Sequence, residues 1–104
     1  MKKASSINEI SQLVNSDQKV VFLFTADWCG DCQFIYPVLD ELVADFPQLT
    51  FLQVDRDQFM DLAKQWDVFG IPSLVVTQGG QEIGRLVNRL RKTKQEISQF
   101  LQTI

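Results

Sequence analysis

The chain has no histidine, only two cysteines, no linker or internal repeat, and no apolar run approaching membrane-spanning length. Two cysteines supply half of the four ligands a zinc site normally takes, so a metal would need a second chain or borrowed carboxylates, and none is expected. With no linker, the 104 residues are expected to form one domain, 1–104, long enough to bury most of its apolar surface. Positive charge is also short: ten Lys and Arg face thirteen Asp and Glu, a net charge of -3. That balance gives no general attraction to phosphate backbones or anionic lipid, so neither nucleic acid nor a membrane is an expected partner. The start, "MKKASSINEISQLVN", has two lysines but no apolar core behind them, which does not make a secretory signal. A cytoplasmic monomer is expected, in a compartment where a purely structural disulfide is poorly maintained.

What is present reads as alternating helices and strands. Ser6 stands three residues before Glu9, a capping-box spacing, and Ile7, Ile10, Leu13 and Val14 then recur at helical intervals. "KVVFLFT", residues 19–25, is an unbroken apolar run, as expected for a strand covered on both faces. After the cysteines, Ile35, Val38, Leu39, Leu42, Val43 and Phe46 mark an amphipathic helix of about four turns, kinked by Pro37 and ended by Pro47. "LTFLQV" reads as a second strand, and Asp57 as the cap of a helix carrying Phe59, Leu62, Ala63 and Trp66 on one face. "SLVVT" and "EIGRLV" form a hairpin around Gly79-Gly80, and Thr93 with Glu96 caps a last helix. The order αβαβαββα predicts a central mixed sheet with helices on both faces, a three-layer α/β/α domain.

Both cysteines lie in "ADWCGDC", residues 26–32, where the first strand passes into the long helix. Free N–H groups and the positive dipole end of a helix favour a thiolate there. Cys29 is the expected exposed nucleophile, with Cys32 one turn along and pointing inward. Attack by Cys29 on a disulfide, followed by attack of Cys32 on Cys29, would release a reduced product. Placement and compartment favour this exchange, while an inert thiol pair and a metal site stay open.

"WCGDC" after an apolar strand, Pro37 in the following helix, and "GIPS" opening a later strand together resemble the thioredoxin family, over nearly the whole chain. The resemblance implies the thioredoxin fold, Cys29 as nucleophile, Cys32 as resolving thiol, and a cis Ile71-Pro72 peptide facing them. It also implies that backbone at Ile71 pairs with the substrate chain. Trp28 could be ordinary core, but its place beside Cys29 suggests a partly exposed substrate platform.

Three departures from the family pattern stand out. Asp31 replaces the usual proline and, with Gly30, is expected to tune the redox pair. Its charge opposes the Cys29 thiolate by about 0.5 to 3 kcal/mol. The helix terminus favours that thiolate by about 0.3 to 2 kcal/mol, so the two nearly cancel, as suits a reductant; the alternative is that Asp31 merely serves the first turn of the helix, where acidic residues are welcome. Leu23 stands where the family buries an acid that relays the resolving cysteine's proton, and Phe51 where a lysine often accompanies it. Cys32 is then expected to lose its proton through water or Asp31, with slow release from the mixed disulfide. Asn88 replaces a glycine beside which substrate backbone passes, and its bulk is expected to narrow the partner range.

Arg85, Arg89, Arg91, Lys92 and Lys94 cluster near the C-terminus and read as a solvated rim, with docking of an acidic partner the sharper alternative. Asp55, Asp57 and Asp61 lack the glycine and glutamate of a calcium loop. The expectation is a protein-disulfide reductase needing no bound cofactor. Its electrons would come from a thioredoxin-reductase-type flavoprotein or a low-molecular-weight thiol. The alternative is a binding module of the same fold with weak redox turnover.

Overall fold

The computed structural model describes all residues, 1–104. Its helices are α1 (Ile7–Val14), α2 (Gly30–Ile35), α3 (Leu39–Asp45), α4 (Met60–Gln65) and α5 (Lys94–Leu101). Its strands are β1 (Val20–Thr25), β2 (Thr50–Asp55), β3 (Ser73–Gln78) and β4 (Gln81–Leu86). The sheet runs β2-β1-β3-β4, with β1 parallel to β2, and β1/β3 and β3/β4 antiparallel. It is the expected mixed sheet between two helical layers.

The unbroken apolar run of β1 is explained by its position. It pairs on both edges, and all six of its residues are buried. Side chains alternate across the pleat. Val20, Phe22 and Phe24 pack on one face with Ile10 of α1 and Ala63 of α4. Val21 and Leu23 pack on the other with Ile35, Leu42, Ile97 and Leu101. Phe22 and Phe24 both meet Trp66 edge-on, with centroids 5.3 and 5.8 Å apart. Each such fully buried apolar side chain stabilises the fold by roughly 1.5–3 kcal/mol.

The capping signals hold. Ser6 Oγ accepts the Glu9 N–H, and Thr93 Oγ1 accepts the Glu96 N–H, each at 3.1 Å. At the hairpin, Gly79 and Gly80 take φ of 60° and 81°, values that an L side chain adopts only with strain. Their N–H groups donate to Ser16 and Val14 carbonyls at 2.8 Å, clamping the turn to the end of α1. Residues 2–4 run beside β2, where Gln53 N–H donates to Lys2 O and Ala4 N–H donates to Gln53 O, both at 2.8 Å.

Three local expectations need correction. The long helix is broken rather than kinked, because Pro37 lacks an N–H and falls in a 3₁₀ turn, Tyr36–Val38, separating α2 from α3. The apolar stripe survives the break, with Ile35, Leu39, Leu42 and Phe46 all buried. Asp57 does not cap α4: the N-cap is Phe59, without a side-chain bond, and Asp55 Oδ1 accepts the Asp57 and Gln58 N–H groups to shape the approach. Ile7 lies outside the buried stripe of α1 and is exposed.

Candidate active site

β1 delivers the chain, buried through Ala26, to Cys29 at the N-cap of α2. An N-cap side chain normally offers oxygen to the unpaired N–H groups of the first turn. Here sulfur does so, and Cys29 Sγ accepts the Cys32 N–H at 3.1 Å. A thiolate at this sulfur would accept that N–H as a charge-assisted hydrogen bond. The Cys29 thiol also reaches the Ile71 carbonyl oxygen at 3.8 Å.

Cys29 is only 6% accessible, which corrects the expectation of an exposed nucleophile. Both thiols are free and sit in a small apolar cluster with Ala26, against Tyr36 and Ile71. Cys29 opens onto a groove of about 380 Å³, also lined by Trp28, Gly30, Asp31, Gly70 and Ile71. Cys32 is completely enclosed. Burial pushes its pKa up to about 12, and its hydrogen bond with Cys29 and the charges of Cys29 and Asp31 push the same way.

The expected neighbours assemble around the pair. The Ile71-Pro72 bond is cis, and Pro72 is buried. Gly70 is required next to it, since a Cβ there would run into the Asn88 carbonyl. Trp28 is 63% exposed, and its indole N–H donates to Asp57 Oδ2 at 2.7 Å, which is the role Asp57 has in place of a cap. Arg56 lies 5.1 Å over the Trp28 ring. Gly30 is exposed, and a Cβ there would meet nothing within 4 Å.

Asp31 is not a lone charge. Its Oδ1 lies 2.9 Å from Arg91 Nε, and the Arg91 guanidinium stacks 4.5 Å from the Phe34 ring centroid. The rim reading of the basic cluster also needs revision at Lys92, which is 1% accessible. Its Nζ donates to Asn88 Oδ1 at 2.9 Å and Leu90 O at 2.8 Å. Burial lowers the pKa of this ammonium, while the charges of Glu96, Cys32, Asp31 and Cys29 oppose that shift. Asn88 therefore turns its side chain toward Lys92 and the Leu90 N–H, and it does not line the groove. The expected narrowing by Asn88 bulk has no basis in this geometry. No sequence spacing signals the Asp31–Arg91 pair, whose members are 60 residues apart.

On the sheet side, Leu23 is buried with Ile35 and Leu39, and Phe51 packs against the same cluster. Tyr36 touches both that cluster and the dithiol. No three Cys, Asp or Glu side chains converge in a way that could hold a metal ion.

A family model described as thioredoxin matches residues 3–103. The chain belongs to the thioredoxin family. Thioredoxin H2-1 of Oryza sativa is 36% identical to it over 90 residues, covering 86% of this chain and 63% of the rice protein. The thioredoxin of Mycoplasmoides gallisepticum is 30% identical over 94 residues, covering 90% of this chain and 94% of its own. The oxidized form of mitochondrial thioredoxin 3 from Saccharomyces cerevisiae superposes with a TM-score of 0.85 at 27% identity. That match covers 100% of this chain and 95% of the yeast one. This chain spans less than two thirds of the length of its plant thioredoxin relatives. Its fold is the thioredoxin fold of these relatives.

Proposed function

We propose that residues 1–104 act as one thioredoxin-type unit, a thiol-disulfide oxidoreductase that reduces protein disulfides through Cys29 and Cys32. The observation that carries this reading is the N-cap sulfur, with Cys29 Sγ receiving the N–H of Cys32 while Cys32 sits one turn further in. Cys29 thiolate attacks one sulfur of the substrate disulfide; that bond breaks, the distal sulfur leaves as a thiolate, and a mixed disulfide forms. Cys32 then loses its proton and attacks Cys29 Sγ. The second substrate sulfur leaves, two electrons have passed to substrate, and the chain is left with a Cys29-Cys32 disulfide. Trp28 and the Ile71 carbonyl flank the attacked sulfur as substrate-binding groups, with Pro72 fixing the loop behind them. Gly30 and Asp31 occupy the turn that sets the pair's redox balance.

No bound cofactor takes part. A thioredoxin-reductase-type flavoprotein or a low-molecular-weight thiol returns the electrons. The cytoplasm, where thiols are kept reduced, suits such a cycle, and no helix is long and apolar enough to cross a membrane. The chain works as a monomer.

One observation favours a second reading, a binding module with weak turnover: Cys32 is held protonated, and Leu23 offers it no proton acceptor. Insulin reduction with dithiothreitol separates the two. Rapid turnover that disappears in Cys29→Ser supports the reductase. Absence of turnover, with partner capture indifferent to that substitution, supports the module.

A further inference from the structure

The groove beside Cys29 is lined by three charged side chains, and two of them are already answered. Asp31 has Arg91 at 2.9 Å, and the charge of Arg56 has Asp57 at 3.4 Å, although Arg56 Nε itself forms no hydrogen bond. Arg89 lines the same groove, lies within 4.0 Å of no carboxylate, and donates no hydrogen bond within the chain. Its guanidinium lies 5.8 Å from the ring centroid of Phe69, which is itself 52% exposed in the groove wall. The backbone at Arg89 abuts Gly70, one residue before the carbonyl that meets Cys29 Sγ. One uncompensated positive charge, backed by an exposed aromatic face, thus stands in the groove through which a substrate reaches the nucleophile. The chain as a whole carries a net charge of -3, so the unpaired Arg89 is a local positive point against a negative background, and it favours an acidic segment at this groove.

We infer that the groove selects disulfide substrates whose attacked cysteine is flanked, within a few residues, by an aspartate or glutamate that pairs with Arg89. The inference rests on the reductase reading above and deepens it by naming the substrate class. Arg89 acts as a specificity residue: it pairs with the flank and leaves the sulfur chemistry to Cys29 and Cys32. A solvent-exposed pair of this kind affects encounter more than residence, so the preference shows in the second-order rate and fades with salt.

The test uses two disulfide-bonded peptides of identical sequence except for flanking Glu or flanking Lys, reduced by the full chain in single-turnover mixing. The Glu peptide is expected to react about two- to fivefold faster at low ionic strength. That ratio should approach one at 1 M salt and invert in Arg89→Glu, an exposed position where the substitution does not threaten folding. Equal rates for the two peptides at low salt, or a ratio unchanged in Arg89→Glu, would overturn the inference alone. If neither peptide is reduced, the dithiol-exchange reading falls and this one falls with it.

Discussion

On the groove side of the dithiol the chain places ions over aromatic faces in contact with water: Arg56 on Trp28, Arg89 on Phe69, Arg91 on Phe34. On the sheet side, beneath the enclosed Cys32, it places Leu23, Ile35 and Phe51, with no ionisable group among them. The same charge matters differently in the two places. Near water the Asp31 carboxylate is screened and paired with Arg91, so the tuning it exerts on the cysteine pair is modest. In the dry layer desolvation holds the buried Cys32 thiol neutral. In the cycle proposed above, partner choice would be written on the wet side and release rate on the dry side.

The contrast can be broken outright by Cys32→Ser. Removing the resolving sulfur should stop the cycle after one attack and leave a stable mixed disulfide on Cys29, visible by mass spectrometry under non-reducing conditions. A variant that still turned over with insulin would deny Cys32 its role.

pH probes the dry side next. With burial, the largest cause of the raised Cys32 pKa, still in place in the mixed disulfide, release should climb with pH through the neutral range, about tenfold per unit for as long as Cys32 stays mostly protonated. A plateau below pH 8 in stopped-flow traces would show another group taking the proton. Stability carries a matching signature with a definite sign. The folded thiol keeps its proton up to about 12, against an ordinary value of 9.0. Above pH 9 the unfolded chain binds fewer protons than the folded one, so this contribution is complete below pH 9 and is lost as pH rises toward 12. Denaturant melts should lose that slope in Cys32→Ser.

Leu23→Asp asks whether one acid restores the relay. Release is expected to quicken by about tenfold at neutral pH, with a stability loss of about 1–3 kcal/mol from burying a polar group. An unchanged release rate would end the proton-acceptor explanation. Smallest of all, Arg91→Ala removes an exposed ion pair, and the disulfide's equilibrium with glutathione should move by less than about fivefold, in line with a surface pair of up to roughly 1 kcal/mol. A larger shift would place Asp31 in closer command of Cys29 than its wet surroundings allow.

Elements encoded by neighbours in sequence were legible in advance. The apolar run of β1, the Ser6/Glu9 and Thr93/Glu96 spacings and the Gly79-Gly80 turn each act within a few residues. The cysteine pair at the head of α2 was legible for the same reason. Cis Pro72 was read through family resemblance, since its own neighbours do not demand it. Lys92 escaped although its partners are local: lysine usually reads as solvated, yet Asn88 Oδ1 and Leu90 O, four and two residues before it, make its burial tolerable. The rest of what escaped was built across the fold. Asp57 resembles a cap until Trp28, 29 residues earlier, is seen to use it. Cys29 reads as exposed from its position in a turn, whereas Ile71, from a loop 42 residues away, closes over it.

Residues 2–4, lying along β2, have a consequence beyond the catalytic end. They occupy backbone hydrogen-bonding positions on a sheet border where a strand from another molecule could otherwise dock. Clipping them would bare that border and invite stacking of copies into fibrils, so proteolytic trimming of this short lead should promote aggregation before it dims the redox chemistry.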